Sequence, residues 1–176
     1  MSENLLHNIR LAIFDIDGTL TEIKPEIRAV KPRLVTPNHL GEQQPIAGVV
    51  EGLADLQARG IQMALATNRG GVAFGYNTLE EAQAIAREAA ELCGIPDVKI
   101  YICPYHAKAR GPETNHQFAK EDDCRKPNPG MLNQALADFG LAPHEAVFVG
   151  DKESDQLAAE NANIRFLWAD EFFQMI

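Results

Sequence analysis

Two short stretches of this sequence gather carboxylates at a spacing that suits metal and phosphorus chemistry. The first is Asp15-Ile16-Asp17-Gly18-Thr19-Leu20. In extended backbone, residues two apart point the same way, so Asp15 and Asp17 face one pocket. Gly18 permits a sharp exit that a side chain would hinder. The second is Gly150-Asp151-Lys152-Glu153-Ser154-Asp155. If both stretches end neighbouring strands, three or four carboxylates converge. Two like charges ~4 Å apart repel by roughly 4 kcal/mol at an effective dielectric near 20, so such a cluster calls for a cation. Oxygen ligands without a dedicated histidine cluster favour Mg²⁺ over zinc at this point. A carboxylate beside such an ion can attack phosphorus and form an aspartyl-phosphate, provided that nearby donors neutralise the phosphate. Thr67-Asn68 supplies a hydroxyl and backbone N–H groups, and Lys126 supplies a fixed positive charge.

The elements that must position these residues follow from the apolar pattern. Residues 10–14, 61–66, 98–102, 146–149 and 164–168 are short, nearly continuous apolar runs, as expected of strands covered on both faces. Residues 49–59, 78–92, 129–139 and 153–161 read as helices between them. Gly60 and Gly94 suit helix ends, and Thr78 followed by Glu80 and Glu81 suits a helix start. The alternation predicts an α/β fold, an open parallel sheet with helices on both faces. In such sheets ligands collect at the carboxyl ends of the strands, where both acidic stretches fall. Two segments interrupt the rhythm. Residues 22–47 hold Pro25, Pro32, Pro37 and Pro45 and read as a long loop; residues 103–128, rich in charge, His, Gly and Pro, read as another. Both are expected within a single domain spanning 1–176.

Composition narrows the classes. With 16 Lys and Arg against 25 Asp and Glu, the formal charge is −9, which disfavours nucleic acid and anionic lipid as partners. No apolar run approaches a membrane span, and the first residues lack the pattern of a secretory signal. Three cysteines are too few for a disulfide scaffold, and a reducing, cytoplasmic location is expected.

Four motifs, in order and at strand ends, resemble those of the haloacid dehalogenase (HAD) superfamily of phosphatases. They are Asp15–Leu20, Thr67-Asn68, Lys126-Pro127-Asn128-Pro129-Gly130-Met131-Leu132, and Gly150–Asp155. The resemblance spans most of the chain. It implies a strand order of 3-2-1-4-5 and a core without a separate cap domain. It makes Asp15 the nucleophile and a Mg²⁺ ligand. Asp17 becomes the general acid and base, with its backbone carbonyl on Mg²⁺. Thr67, Asn68 and Lys126 bind phosphate, Asp151 ligates Mg²⁺ directly, and Asp155 does so through water. The implied activity is hydrolysis of a phosphate monoester of a small metabolite.

The segment from Cys103 to Lys126 is similar to that of the small phosphatases acting on histidinol phosphate and heptose bisphosphate. Several of these carry a zinc loop of the form Cys-x-His … Cys-x-Cys-Arg-Lys-Pro. Here the sequence runs Cys103-Pro104-Tyr105-His106 … Asp122-Asp123-Cys124-Arg125-Lys126-Pro127. Two readings stand: a zinc site of Cys103, His106, Asp122 and Cys124, or a zinc-free loop with buried or free thiols. Cys93 reads as a core residue, and His116 and His144 as surface residues. Arg69 replaces the branch's usual Gln; it either contacts a second anionic group on the substrate or is solvated. Arg125 reads as a substrate contact because it adjoins Lys126. The uncapped 3′-phosphatases of nucleic-acid repair provide an alternative, favoured only by a basic patch of Arg28, Lys31, Arg33, Lys108 and Arg110. A non-catalytic HAD-like binding module is the other. The oligomeric state is left open.

Overall fold

A computed structural model describes residues 6–176. Five parallel strands form the central sheet: β1 (Leu11–Phe14), β4 (Gln62–Asn68), β5 (Lys99–Cys103), β6 (Ala146–Gly150) and β7 (Arg165–Trp168). Their order, β5-β4-β1-β6-β7, is the expected 3-2-1-4-5. β1 lies at the centre, with Phe14 in register with Leu65 on one side and Val149 on the other.

The continuous apolar runs are explained by two cores. Along β1, Ala12 and Phe14 face one side of the sheet, and Leu11 and Ile13 the other. The first side packs on α2 (Val49–Ala58) and α4 (Leu79–Leu92), through Leu53, Leu56, Ala86 and Ala89. The second packs on α5 (Gly130–Phe139) and α6 (Glu153–Asn161), through Leu132, Ala135, Ala158 and Ala159. Helix α4 starts on a capping box, with the Glu81 amide donating to Thr78 Oγ1 at 3.1 Å and the Thr78 amide to Glu81 Oε2 at 2.7 Å. A terminal helix that the pattern did not predict, α7 (Ala169–Met175), closes the first core by setting Phe172 5.8 Å edge-on to Phe14. Cys93 lies in that core, and His116 and His144 are exposed, as expected.

The proline-rich segment is more ordered than a loop. It forms β2 (Thr21–Ile23), α1 (Pro25–Val30) and β3 (Gln43–Pro45), with β2 and β3 antiparallel. Its prolines are compatible with these elements. Pro25 begins a helix, where no amide hydrogen bond is lost, and Pro45 ends a strand of a two-stranded sheet. Residues 31–41 are strapped down by Glu42, which takes Lys31 Nζ at 2.6 Å and the Asn38 and His39 amides at 2.8 and 3.1 Å. The second long segment has no helix or strand between residues 104 and 128. It instead builds a small core of its own, with Phe118 and Ala109 packed on Val72 and Ala73 of the short helix α3 (Gly71–Phe74).

Candidate active site

The strand order sets the carboxyl ends of β1 and β6 side by side. The Asp15 amide donates to the Val149 carbonyl at 3.0 Å, so the two acidic stretches leave the sheet together. Carboxylate oxygens of Asp15, Asp151 and Asp155 lie within 4.8 Å of one another. Gly18, at φ +91°, turns the chain away, and a Cβ there would run into the Asp151 carboxylate. Gly150 is required for a related reason: its Cβ would strike the side chain of Asp155. Asp155 is 1% exposed; its Oδ2 accepts the Lys152 and Asp151 amides at 3.1 and 3.3 Å, which fixes the entry to α6.

Lys126 crosses from the other side. Its Nζ lies 2.8 Å from Asp15 Oδ1, 2.8 Å from Asp155 Oδ1 and 2.9 Å from the Ala66 carbonyl. The side chain is almost completely buried, so these partners replace its hydration. Asn68 seats the lysine: its Oδ1 accepts the Lys126 amide and its Nδ2 donates to the Lys126 carbonyl, both at 3.1 Å. The Asn68 side chain is therefore a strut between the end of β4 and the lysine loop. Thr67, fully buried at the end of the same strand, has a hydroxyl with no hydrogen-bond partner among the described residues.

A cation fits among these oxygens. The Lys152 ammonium lies 2.8 Å from the Asp17 main-chain carbonyl, 3.1 Å from Asp151 Oδ1 and 3.6 Å from Asp15 Oδ2. Thr19 Oγ1 steadies Asp151 Oδ1 at 3.3 Å. The donors are all oxygens, a set that suits a hard divalent ion.

The two aspartates of the first stretch differ electrostatically. Burial pushes the Asp15 carboxyl up, but Lys126 and Lys152 outweigh burial and hold it below the usual range, so it stays ionised. Asp17 is buried too, and there burial prevails over the Arg69 guanidinium, leaving its carboxyl above the usual range. One anionic and one readily protonated carboxylate thus stand two residues apart.

A cavity of about 390 Å³ opens above this floor. Asp15, Asp17, Lys126 and Asp155 form its base; Phe74, Tyr76 and His106 form one wall, and Val35 and Thr36 stand at the other. Arg125 reaches the cavity as well, with one guanidinium nitrogen 3.0 Å from the Tyr105 carbonyl. Arg69 is neither solvated nor at the cavity wall. It is 4% exposed and lies 3.3 Å from Asp17 Oδ2.

The zinc expectation is corrected. Cys103 and Cys124 are joined as a disulfide, so neither offers a thiolate. His106 Nδ1 accepts the Lys108 amide at 3.2 Å, and Asp122 Oδ1 accepts the Cys124 amide at 3.0 Å. The pairing has a local cause. Cys103 is in register with Asn68, and Asn68 holds Lys126, two residues past Cys124. The strut that seats the lysine also brings the sulfurs together. With this bond in place, the cysteine count no longer argues for a reducing compartment.

Comparison with known proteins agrees with this arrangement. Residues 123–170 match the family model described as HAD-hydrolase-like. The chain is 33% identical over 136 residues to the D-glycero-beta-D-manno-heptose-1,7-bisphosphate 7-phosphatase of Pasteurella multocida, covering 73% of this chain and 68% of that one. It is 34% identical over 132 residues to the enzyme of the same name from Haemophilus ducreyi, covering 73% and 70%. The chain belongs to the haloacid dehalogenase superfamily. Its relatives in that superfamily are phosphatases, and it is a phosphoric monoester hydrolase of the same kind. Among solved HAD structures, the fold matches a D,D-heptose 1,7-bisphosphate phosphatase from B. bronchiseptica, complexed with magnesium and phosphate, at a TM-score of 0.67 and 24% identity, covering 90% of this chain and 79% of that one. It matches a HAD-like phosphatase from Mesorhizobium loti at 0.72 and 23%, covering 95% and 85%. Both are likenesses of fold. HAD phosphatases use Mg²⁺, and the oxygen cluster of this member has the donors for it.

Residues that the sequence did not single out also shape this HAD site. Lys152 was visible only as a charge within the fourth motif, yet it spans both acidic stretches. Phe74 and Tyr76 stack at 5.5 Å, and Phe74 meets His106 at 4.9 Å, giving the cavity an aromatic side. Of the five residues in the basic patch, Lys31 is paired with Glu42, and Arg110 donates to the Ala107 and Ala109 carbonyls. Among the described residues, no helix is long and apolar enough to cross a membrane.

Proposed function

We propose that this protein hydrolyses the phosphate monoester of a phosphorylated sugar, a heptose 1,7-bisphosphate being the first substrate to test, through an aspartyl-phosphate on Asp15. The observation that carries this reading is the pairing of an ionised, buried Asp15 with Lys126 2.8 Å away, beneath an open cavity. Asp15, Asp151 and the Asp17 carbonyl, with Asp155 behind them, would hold Mg²⁺, which when bound would supply the charge that lets one anion approach another. Lys152 is half-exposed and yields these oxygens to a dication at little cost.

The residues divide the remaining work. Lys126 Nζ and the unpartnered Thr67 hydroxyl hold phosphate oxygens and stabilise the charge that develops on them. Asp15 forms a bond to phosphorus as the sugar oxygen leaves, and Asp17 gives that oxygen its proton. Water then attacks the phosphorus, its proton passes to Asp17, the Asp15–phosphorus bond breaks, and phosphate departs. Arg125 and the aromatic wall stand where the rest of the sugar would lie. The cytoplasm is kept as the proposed location on chemical grounds, since charged sugar phosphates do not cross membranes unaided.

The test is phosphate release from D-glycero-β-D-manno-heptose 1,7-bisphosphate with Mg²⁺ and with EDTA. Release that depends on Mg²⁺ supports the reading; none in either condition removes this sugar as the substrate, and none from 4-nitrophenyl phosphate either overturns the phosphatase mechanism. A pH profile adds a sign. Asp17 must be protonated to act as the acid, and burial raises its carboxyl. For this substrate, kcat/KM should therefore hold steady on the acid side of that raised value and fall as pH climbs through it. A kcat/KM that instead rises through that range would assign the acid elsewhere.

A further inference from the structure

Arg69 is a buried cation that the mechanism above does not use. Its main chain is fixed: the amide donates to the Cys103 carbonyl at 2.7 Å, and its carbonyl accepts the Val72 amide at 3.2 Å. Its neighbours Asn68 and Gly70 line the cavity, but at 4% exposure its own side chain turns behind that wall. There it meets Asp17 Oδ2 at 3.3 Å, while none of its three guanidinium nitrogens has a hydrogen-bond partner among the described residues. A guanidinium is rarely buried with so few partners, and this one is spent on a single carboxylate oxygen.

The other oxygen of the same carboxylate, Asp17 Oδ1, is also buried and has no partner. The Asp17 main chain is held separately, by Lys152 on its carbonyl. What the backbone leaves free is rotation of the carboxylate about its last bond, a torsion with broad minima. The Arg69 guanidinium, 3.3 Å from Oδ2, is the group placed to restrain it.

We infer that Arg69 is a positioning residue: its contact with Asp17 Oδ2 fixes the plane of the carboxylate that passes the proton. The inference rests on the phosphatase reading above. In the first step the proton moves from the Asp17 carboxyl to the leaving sugar oxygen as the phosphorus–oxygen bond breaks and the Asp15–phosphorus bond forms. In the second, a water oxygen bonds to phosphorus and its proton returns to the Asp17 carboxylate as the Asp15–phosphorus bond breaks. Atoms and charge balance without another reactant. Replacing the usual Gln by Arg at this position substitutes a planar, permanently charged fork for a neutral amide.

The experiment compares two esters. A sugar alkoxide needs a proton to leave, whereas 4-nitrophenolate leaves without one. Steady-state kinetics with Mg²⁺ would be measured for wild type, Arg69→Gln and Arg69→Lys on the heptose bisphosphate and on 4-nitrophenyl phosphate. Since kcat/KM covers steps only up to release of the leaving group, Arg69→Gln should lower it about 100-fold for the sugar ester and under about 3-fold for the aryl ester. Arg69→Lys, which keeps the charge, should recover about tenfold of the loss. The lysine variant also guards against misfolding, because its aryl-ester activity reports an intact site. Equal losses on both esters, or no loss on the sugar ester, would overturn the positioning role while leaving the phosphatase reading intact. Wild type inactive on both esters would overturn that reading, and this one with it. Wild type active on the aryl ester alone would remove only the sugar substrate. In that case Arg69→Gln should lower kcat about tenfold with kcat/KM unchanged, since Asp17 still serves the second step; an unchanged kcat would refute the role.

Discussion

Asp15→Asn protein is expected to fold, to melt near the wild-type temperature and to turn over substrate roughly 10⁴- to 10⁶-fold more slowly, the scale on which loss of a nucleophile acts. The fold survives because the buried lysine keeps other partners. Lys126 Nζ still has Asp155 Oδ1 at 2.8 Å and the Ala66 carbonyl at 2.9 Å. An amide is close in shape to the carboxylate but is a poor nucleophile toward phosphorus. Phosphate release from the heptose bisphosphate, measured beside a thermal melt, checks both halves. Retained turnover in a folded variant would move the nucleophile elsewhere.

Lys126→Ala is expected to damage stability as well as catalysis. It strips the nearer cation from Asp15 and the only paired cation from Asp155, both buried, leaving Asp15 with Lys152 at 3.6 Å and Asp155 with amide donors alone among the described residues. Removing one partner of a buried ion pair costs about 3–5 kcal/mol. Transition-state charge on the phosphoryl oxygens loses a fixed donor as well, a further fall of about 10²- to 10³-fold in kcat. Mg²⁺ should restore part of the stability, because a dication at the cluster pairs with the same carboxylates. Lys126→Arg should not recover activity: Asp15, Asp155, the Ala66 carbonyl and the Phe148 ring, 5.3 Å from Nζ, enclose a point charge rather than a fork. Urea unfolding with and without Mg²⁺, paired with kinetics, is the check. Wild-type stability without Mg²⁺ would show that the buried pairs contribute little.

Much of this site was legible in the sequence because it depends on local rules. Asp15 and Asp17 are two apart after an apolar run, Asp151 and Asp155 follow another, and parallel sheets place such ends at one edge. The strand order that made them neighbours came from the family resemblance, since period alone does not order strands. Residues 22–47 were harder to read. Pro25 and Pro45 resemble loop residues in sequence, yet one starts a helix and the other ends a short strand.

What escaped depends on contacts between segments distant in sequence. The Cys103–Cys124 bond follows from the β4–β5 register combined with the Asn68 strut, neither of which leaves a mark near the cysteines. Arg69 was weighed between a substrate contact and solvation; it is buried and lies against Asp17 Oδ2. It precedes a tight turn, where a Cβ on Gly70 would already crowd His106 and Arg125. Lys152 stood in the sequence only as one charge within an acidic motif. Only the adjacency of β1 and β6 sets its ammonium on the Asp17 carbonyl.

The most direct measurement traps the covalent step. Asp17→Asn protein would be mixed with 4-nitrophenyl phosphate and Mg²⁺, quenched in acid and mapped by peptide mass spectrometry. The aryl ester needs no acid to load the enzyme, and without Asp17 nothing activates water to clear it. One equivalent of nitrophenolate released in a burst, with the phosphoryl group on the peptide containing Asp15, is the expected result. Nitrophenolate released while Asp15 stays unmodified would contradict it.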